Sequence, residues 1–132
     1  LKYKGTVALI WHLDRSQDTA FWQASSVIYD RYFPTQPKAN SLKPESYKLV
    51  SHYLAENSNW CGLDLQFFPW EKQYSKADFL GLLSTFSGHM TLAENKRKAF
   101  FREIAALIDR FGGTVLRKYE SMFVFARKTA EL

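Results

Sequence analysis

The chain has 132 residues, of which 46% are hydrophobic, 17% aromatic and 23% charged. That is one domain's worth of chain, long enough to bury a core and too apolar for a disordered segment. No apolar run approaches the ~20 residues of a membrane span, and no small-residue cleavage site follows the apolar run after Lys2 and Lys4.

Cys61 is the only cysteine, so no internal disulfide forms, and a reducing cytoplasm is the expected compartment. The net charge of +5 raises the question of nucleic acid. The charges are dispersed, however. Residues 1–60 carry seven Lys/Arg against five acids, and residues 61–132 carry eleven against eight. The densest group, Lys96, Arg97, Lys98 and Arg102, is flanked by Glu94 and Glu103, which reads as a solvated helix face. The chain opens on Leu1 rather than Met, which suggests an upstream segment.

Gly5 precedes the continuous run Thr6 to Trp11, which predicts a strand buried on both faces, as in a parallel sheet. His12, Leu13 and Asp14 end it. Ser16 or Asp18 is placed to cap a following helix. Phe21, Ser25, Ile28, Tyr29 and Tyr32 give that helix one buried stripe, which stops at Pro34. A polar loop with Pro37 leads to Pro44, suited to the first turn of a second helix. Tyr47, Val50, Tyr53 and Leu54 would be its buried face, and Asn57 to Asn59 its end.

Leu63, Leu65 and Phe67 alternate with Asp64, Gln66 and Phe68, the period of a strand with one wetter side, near an edge. Pro69 argues against a mid-sheet position beyond it. Ser75 to Asp78 resembles a capping box ahead of Phe79, Leu82, Leu83 and Phe86, with Gly88 as the expected stop. Thr91-Leu92-Ala93-Glu94 reads as a second capping box. Phe100, Ile104, Leu107, Ile108 and Phe111 form the longest stripe, and Gly112-Gly113 stops it. Met122 to Ala126 is apolar at every position, again predicting a strand hidden on both sides.

The order strand, two helices, strand, two helices, strand is an α/β pattern. Two all-apolar strands and one alternating strand suggest a three-stranded sheet with the final strand in the centre. The first strand would then want a neighbour on its other side.

Leu1 to Trp11 resembles the helix end, turn and fifth strand of class I S-adenosylmethionine-dependent methyltransferases. Tyr3-Lys4-Gly5 stands where that family has Pro-Gly-Gly. Ser75 to Ser87, ending Leu-Leu-Ser-Thr-Phe-Ser, is similar to a late helix of the type 11 branch, and Gly112-Gly113 with the apolar last strand resembles the end of that branch. The resemblance implies the C-terminal half of a Rossmann-like fold, with the last strand antiparallel between the fifth and sixth. It implies a transferase that methylates a small-molecule acceptor. It places Trp11 and His12 at the mouth of the acceptor pocket, where His12 would orient a substrate or accept a proton, and Ser84, Thr85 and Ser87 along its wall; the alternatives are Trp11 in the core, His12 capping a neighbouring turn, and helix-end hydrogen bonds for the three hydroxyls, the last favoured for Ser84. Phe68, Trp70 and Trp22 could add an aromatic wall or serve as core.

The family binds its donor through a Gly-rich turn and an acidic residue in the first half of the sheet. None of the six glycines here forms Gly-x-Gly. The expectation is therefore a fragment that makes acceptor-side contacts, holds no S-adenosylmethionine and is inactive alone. An apolar first strand lacking its neighbour would leave a few hundred Å² wet, forfeiting several kcal/mol at about 25 cal/mol per Å². Such a protein should be marginal, or self-associate, or pair with the missing half through the first strand.

Two other readings compete. One is a non-catalytic interaction module that pairs with another chain through the sheet edge. The other is an RNA-binding domain, for which the chain has the charge but neither a ribonucleoprotein motif nor a Gly-x-x-Gly loop. No His or Cys pair has the spacing of a zinc site, and no Ser-His-Asp set stands out.

Overall fold

The computed structural model of the protein describes residues 4–34, 44–57 and 59–129. The elements are β1 (Thr6–Asp14), α1 (Ala20–Tyr32), α2 (Pro44–Glu56), β2 (Trp60–Ser75), α3 (Lys76–Ser84), α4 (Ser87–Met90), α5 (Glu94–Arg110) and β3 (Thr114–Lys128). The expected loop around Pro37 and the side chain of Tyr47 lie outside the described residues.

The three strands form one antiparallel sheet in the order β1-β3-β2. The last strand is therefore central, as the burial pattern predicted. β3 is much longer than the Met122 to Ala126 segment, because it starts as soon as the Gly113 turn releases the chain. β1 pairs with β3 from Thr6↔Arg127 to Asp14↔Tyr119.

The chain divides into two compact units. The first holds β1, α2, β2 through Trp70 and β3 from Tyr119. Its core packs Leu54 of α2 with Leu13, Met122, Val124 and Ala126, and with Val7, Leu9, Trp11, Val50, Leu63 and Leu65 around them. All the β1 members have odd numbers, and their partners on β3 have even ones, as pleating requires.

The opposite face of this unit carries Ala8, Ile10 and His12 beside Phe125, Phe123 and Ser121. It corrects the expectation that β1 is buried on both sides. Ala8, Ile10 and His12 are exposed, Ile10 at 53%. β3 pairs with β1 antiparallel, the sense expected of the last strand, and antiparallel sheets tolerate one wet face. Tyr53 is 68% exposed; among the described side chains of α2, Val50 and Leu54 are the ones that pack in the core of this unit.

The second unit holds α1, α3, α4, α5 and the remaining parts of β2 and β3. Phe21, Ile28, Phe79, Leu83, Phe100, Ile104, Leu107, Ile108 and Val115 form its core. The helical stripes were legible, but their punctuation differs from expectation. Thr19, rather than Ser16 or Asp18, caps α1 by accepting the Trp22 N–H at 3.3 Å. Ser16 is buried instead, and its Oγ accepts the Lys118 N–H at 3.0 Å.

Ser75 does cap α3, accepting the Asp78 N–H at 3.1 Å. That helix ends at Ser84, and Gly88 lies inside the short α4 rather than at a stop. The Thr91 capping box does not form. Ala93 occupies the cap position, and the Thr91 hydroxyl donates back to the Gly88 carbonyl at 2.7 Å. Phe86, the last member of the stripe expected to follow Ser75 to Asp78, lies beyond the end of α3 and is 39% exposed.

Gly112 and Gly113 have φ of 93° and 86°. The Gly113 N–H donates to the Ile108 carbonyl at 2.9 Å, closing α5 in the way that favours glycine.

His89 sits inside the second unit among the rings of Tyr29, Phe33, Phe86 and Phe100, with centroids 5.1–5.6 Å away. Its Nδ1 is 2.7 Å from the Leu83 carbonyl, which only accepts, so Nδ1 carries a proton and donates. Burial pushes the imidazole below its ordinary pKa, and the Leu83 bond opposes that only in part.

Candidate functional site

His12 is the expected site residue with the most developed surroundings. Alternation along β1 puts it on the exposed face of the first unit, opposite Ser121 on β3. Its Nδ1 is 2.8 Å from Ser121 Oγ. Trp70, on β2, donates its indole N–H to the same oxygen at 2.8 Å. One serine hydroxyl thus joins residues from all three strands.

Aromatic contacts fix the geometry further. The His12 and Trp70 rings meet edge to face at 5.6 Å, and Trp70 stacks on Tyr119 at 4.4 Å with only 19° between planes. Next along the same face, Phe68 meets Phe123 at 5.2 Å, and Phe123 stacks on Phe125. The result is an apolar floor of Ile10, Phe68 and Phe123 with a polar end built from His12, Ser121 and Trp70. Ser121 is only 6% exposed, whereas His12 and Trp70 are accessible. A small flat molecule resting on that floor would have a hydrogen-bonding group at one end.

Trp11, its sequence neighbour, projects from the opposite face of β1 and packs with the core around Leu13 and Met122. Thr85 and Ser87 belong to the second unit, both exposed, Thr85 just after α3 and Ser87 at the first position of α4. The Thr85 hydroxyl donates to the Leu82 carbonyl at 2.7 Å, and that of Ser84 to the Gly81 carbonyl at 2.6 Å, both helix-end bonds. Of the three aromatics singled out as a wall, Phe68 and Trp70 stand on the His12 face. Trp22 lies on α1 of the second unit, stacked on Tyr29.

Ser121 and Tyr119 were missed. They precede the apolar Met122 to Ala126 run, and nothing marks a serine there until the register sets it opposite His12. A usable signal was parity: Tyr119, Ser121, Phe123 and Phe125 share one face of any strand that contains them.

Gly62, Gly81, Gly112 and Gly113 have nothing within 4 Å of where a Cβ would be, so close packing requires a glycine at none of these four positions. No three His, Cys, Asp or Glu side chains among the described residues converge on a metal position. His52 instead pairs with Glu56 one turn on, at 3.0 Å. No described helix is long and apolar enough to cross a membrane. Compared with family models and with curated proteins, the sequence matches none.

Proposed function

We propose that this chain is the acceptor-side half of an S-adenosylmethionine-dependent methyltransferase sheet, contributing contacts to a small-molecule acceptor and holding no donor itself. The strand order carries the reading. A last strand antiparallel in the middle, flanked by the first and second, is the order that the sequence resemblance implies for the end of that fold. His12, held on the sheet face by Ser121 and Trp70, is the acceptor contact. Trp11, Thr85 and Ser87 are kept as acceptor-side residues by the resemblance alone.

In such a reaction the protein's main contribution is to align two bound reactants. A half with no donor site therefore has nothing to align and is inactive alone. The test is calorimetric titration of the chain with S-adenosylmethionine. No heat is expected at micromolar concentrations, and saturable micromolar binding would overturn the division of labour. In a longer polypeptide carrying this segment, His12→Ala should lower kcat/KM for the acceptor about tenfold or more while leaving donor affinity unchanged.

A second reading, a non-catalytic module that pairs through the sheet edge, is favoured by β1 itself, an apolar border strand that has a strand partner on one side only among the described residues. Capture of a donor-binding half that restores methyl transfer supports the first reading. Capture of a partner with no transfer supports the second.

A further inference from the structure

The hydrogen-bond inventory at Ser121 determines which nitrogen of His12 bears the proton. An indole N–H only donates, so the bond from Trp70 consumes one lone pair of Ser121 Oγ. The hydroxyl is buried and its own hydrogen needs an acceptor. Among the described residues, the one acceptor within its reach is Nδ1 of His12, 2.8 Å away. A proton on Nδ1 would instead aim two donors at Ser121 and leave its hydroxyl hydrogen buried with nowhere to go. Neutral His12 must then carry its proton on Nε2, which has no partner among the described residues.

We infer that Ser121 and Trp70 are positioning residues that lock His12 as an outward hydrogen-bond donor, so that the site grips an uncharged acceptor oxygen on a flat apolar ligand. This rests on the reading of His12 as an acceptor-side contact, and it specifies the role. His12 holds the ligand and does not take a proton from it. Shape narrows the ligand class: Ile10, Phe68 and Phe123 offer a flat apolar bed beside the imidazole, where a carbonyl compound loses less hydration than a carboxylate would.

Long-range proton–nitrogen NMR on the chain labelled with ¹⁵N-histidine tests the tautomer directly, at about pH 8 where a free imidazole is neutral. Nδ1 of His12 should show the shift of an unprotonated nitrogen and Nε2 that of a protonated one. A protonated Nδ1 in the wild-type chain overturns the inference. Ser121→Ala should collapse the preference to a mixture of tautomers, and Ser121→Thr, which keeps the hydroxyl, should restore it. An unchanged pattern in Ser121→Ala also overturns it, because a merely structural serine would not set the tautomer.

Acetophenone and ethylbenzene differ by the carbonyl oxygen, and serve as probes. Acetophenone should shift the His12 Nε2–H signal saturably and bind about tenfold more tightly than ethylbenzene, with the difference abolished in His12→Phe. Equal binding, or no effect of acetophenone on His12, overturns the ligand assignment. None of these readouts involves the methyl donor, so their failure leaves the donor titration to judge the methyltransferase reading separately.

Discussion

At the level of single residues, two titrating groups predict how stability follows pH. His89 is held below its ordinary pKa by burial among aromatic rings. The unfolded chain therefore takes up a proton near pH 6.5 that the folded chain resists. Stability is complete above that value, falls as pH drops through it, and levels off once the folded form also protonates. Thermal melts between about pH 8 and pH 5 should show this loss. His89→Gln, which keeps a donor for Leu83 and cannot titrate, should flatten it.

Glu103 works at lower pH. The Tyr32 hydroxyl, and then Arg31, hold its carboxyl below the usual range. That contribution is present above the unfolded carboxylate pKa and disappears as pH falls through the folded one. Glu103→Gln should weaken the dependence below about pH 4.5 while leaving the His89 window intact. Phe100 sets the scale for packing. It is fully buried and contacts Tyr29, Tyr32, Phe33, His89 and Phe101. Phe100→Ala should cost about 3–5 kcal/mol in denaturant unfolding.

Helices and strands differ in how far their sequence announces them. The stripes through Phe21–Ile28 and Phe100–Ile108 were legible because 3.6-residue spacing needs no tertiary information. Helix ends were less so. Thr19, Ser16 and Asp18 are all competent caps, and the choice falls to Thr19 while Ser16 turns to Lys118, a contact more than a hundred residues away. Thr19→Ala should cost about 1 kcal/mol. A Thr91 cap seemed as strong by pattern, yet its hydroxyl bonds Gly88, so Thr91→Ala should leave α5 unaffected.

Gly113 was legible as a stop because few residues tolerate its backbone. Gly113→Ala should destabilise the chain by about 1–2 kcal/mol. For β1 the apolar run was read correctly as a strand, but which face would be covered depends on where α2 lies. That is also why the His12–Ser121–Trp70 cluster was only one-third visible. His12 was picked out by its place at a strand end, Trp70 only as an aromatic, and Ser121 not at all until β3 was aligned with β1.

For the molecule as a whole, the strand order follows from burial, since a final strand whose Met122 to Ala126 run has no polar position belongs in the centre. The partial exposure of Phe123 and Phe125, and the exposure of Ile10, follow from covering one face of that unit. An apolar border strand beside an apolar face predicts association. Sedimentation velocity over a hundredfold concentration range should reveal species larger than the monomer, which Ile10→Lys should reduce. A sharp melt independent of concentration, with a monomer throughout, would contradict this.

The two borders of the sheet are unlike each other. β2 runs through Pro69 and on past Glu71 and Lys72. A proline brings no N–H to an arriving chain, and nearby charges resist being dehydrated, so additional strands are turned away there. β1 carries neither safeguard along Thr6 to Trp11. Growth of this sheet, whether by a natural partner, a twin or an aberrant fibril, is therefore directional: it proceeds from the β1 border, and a proline placed there would close the protein to all three at once.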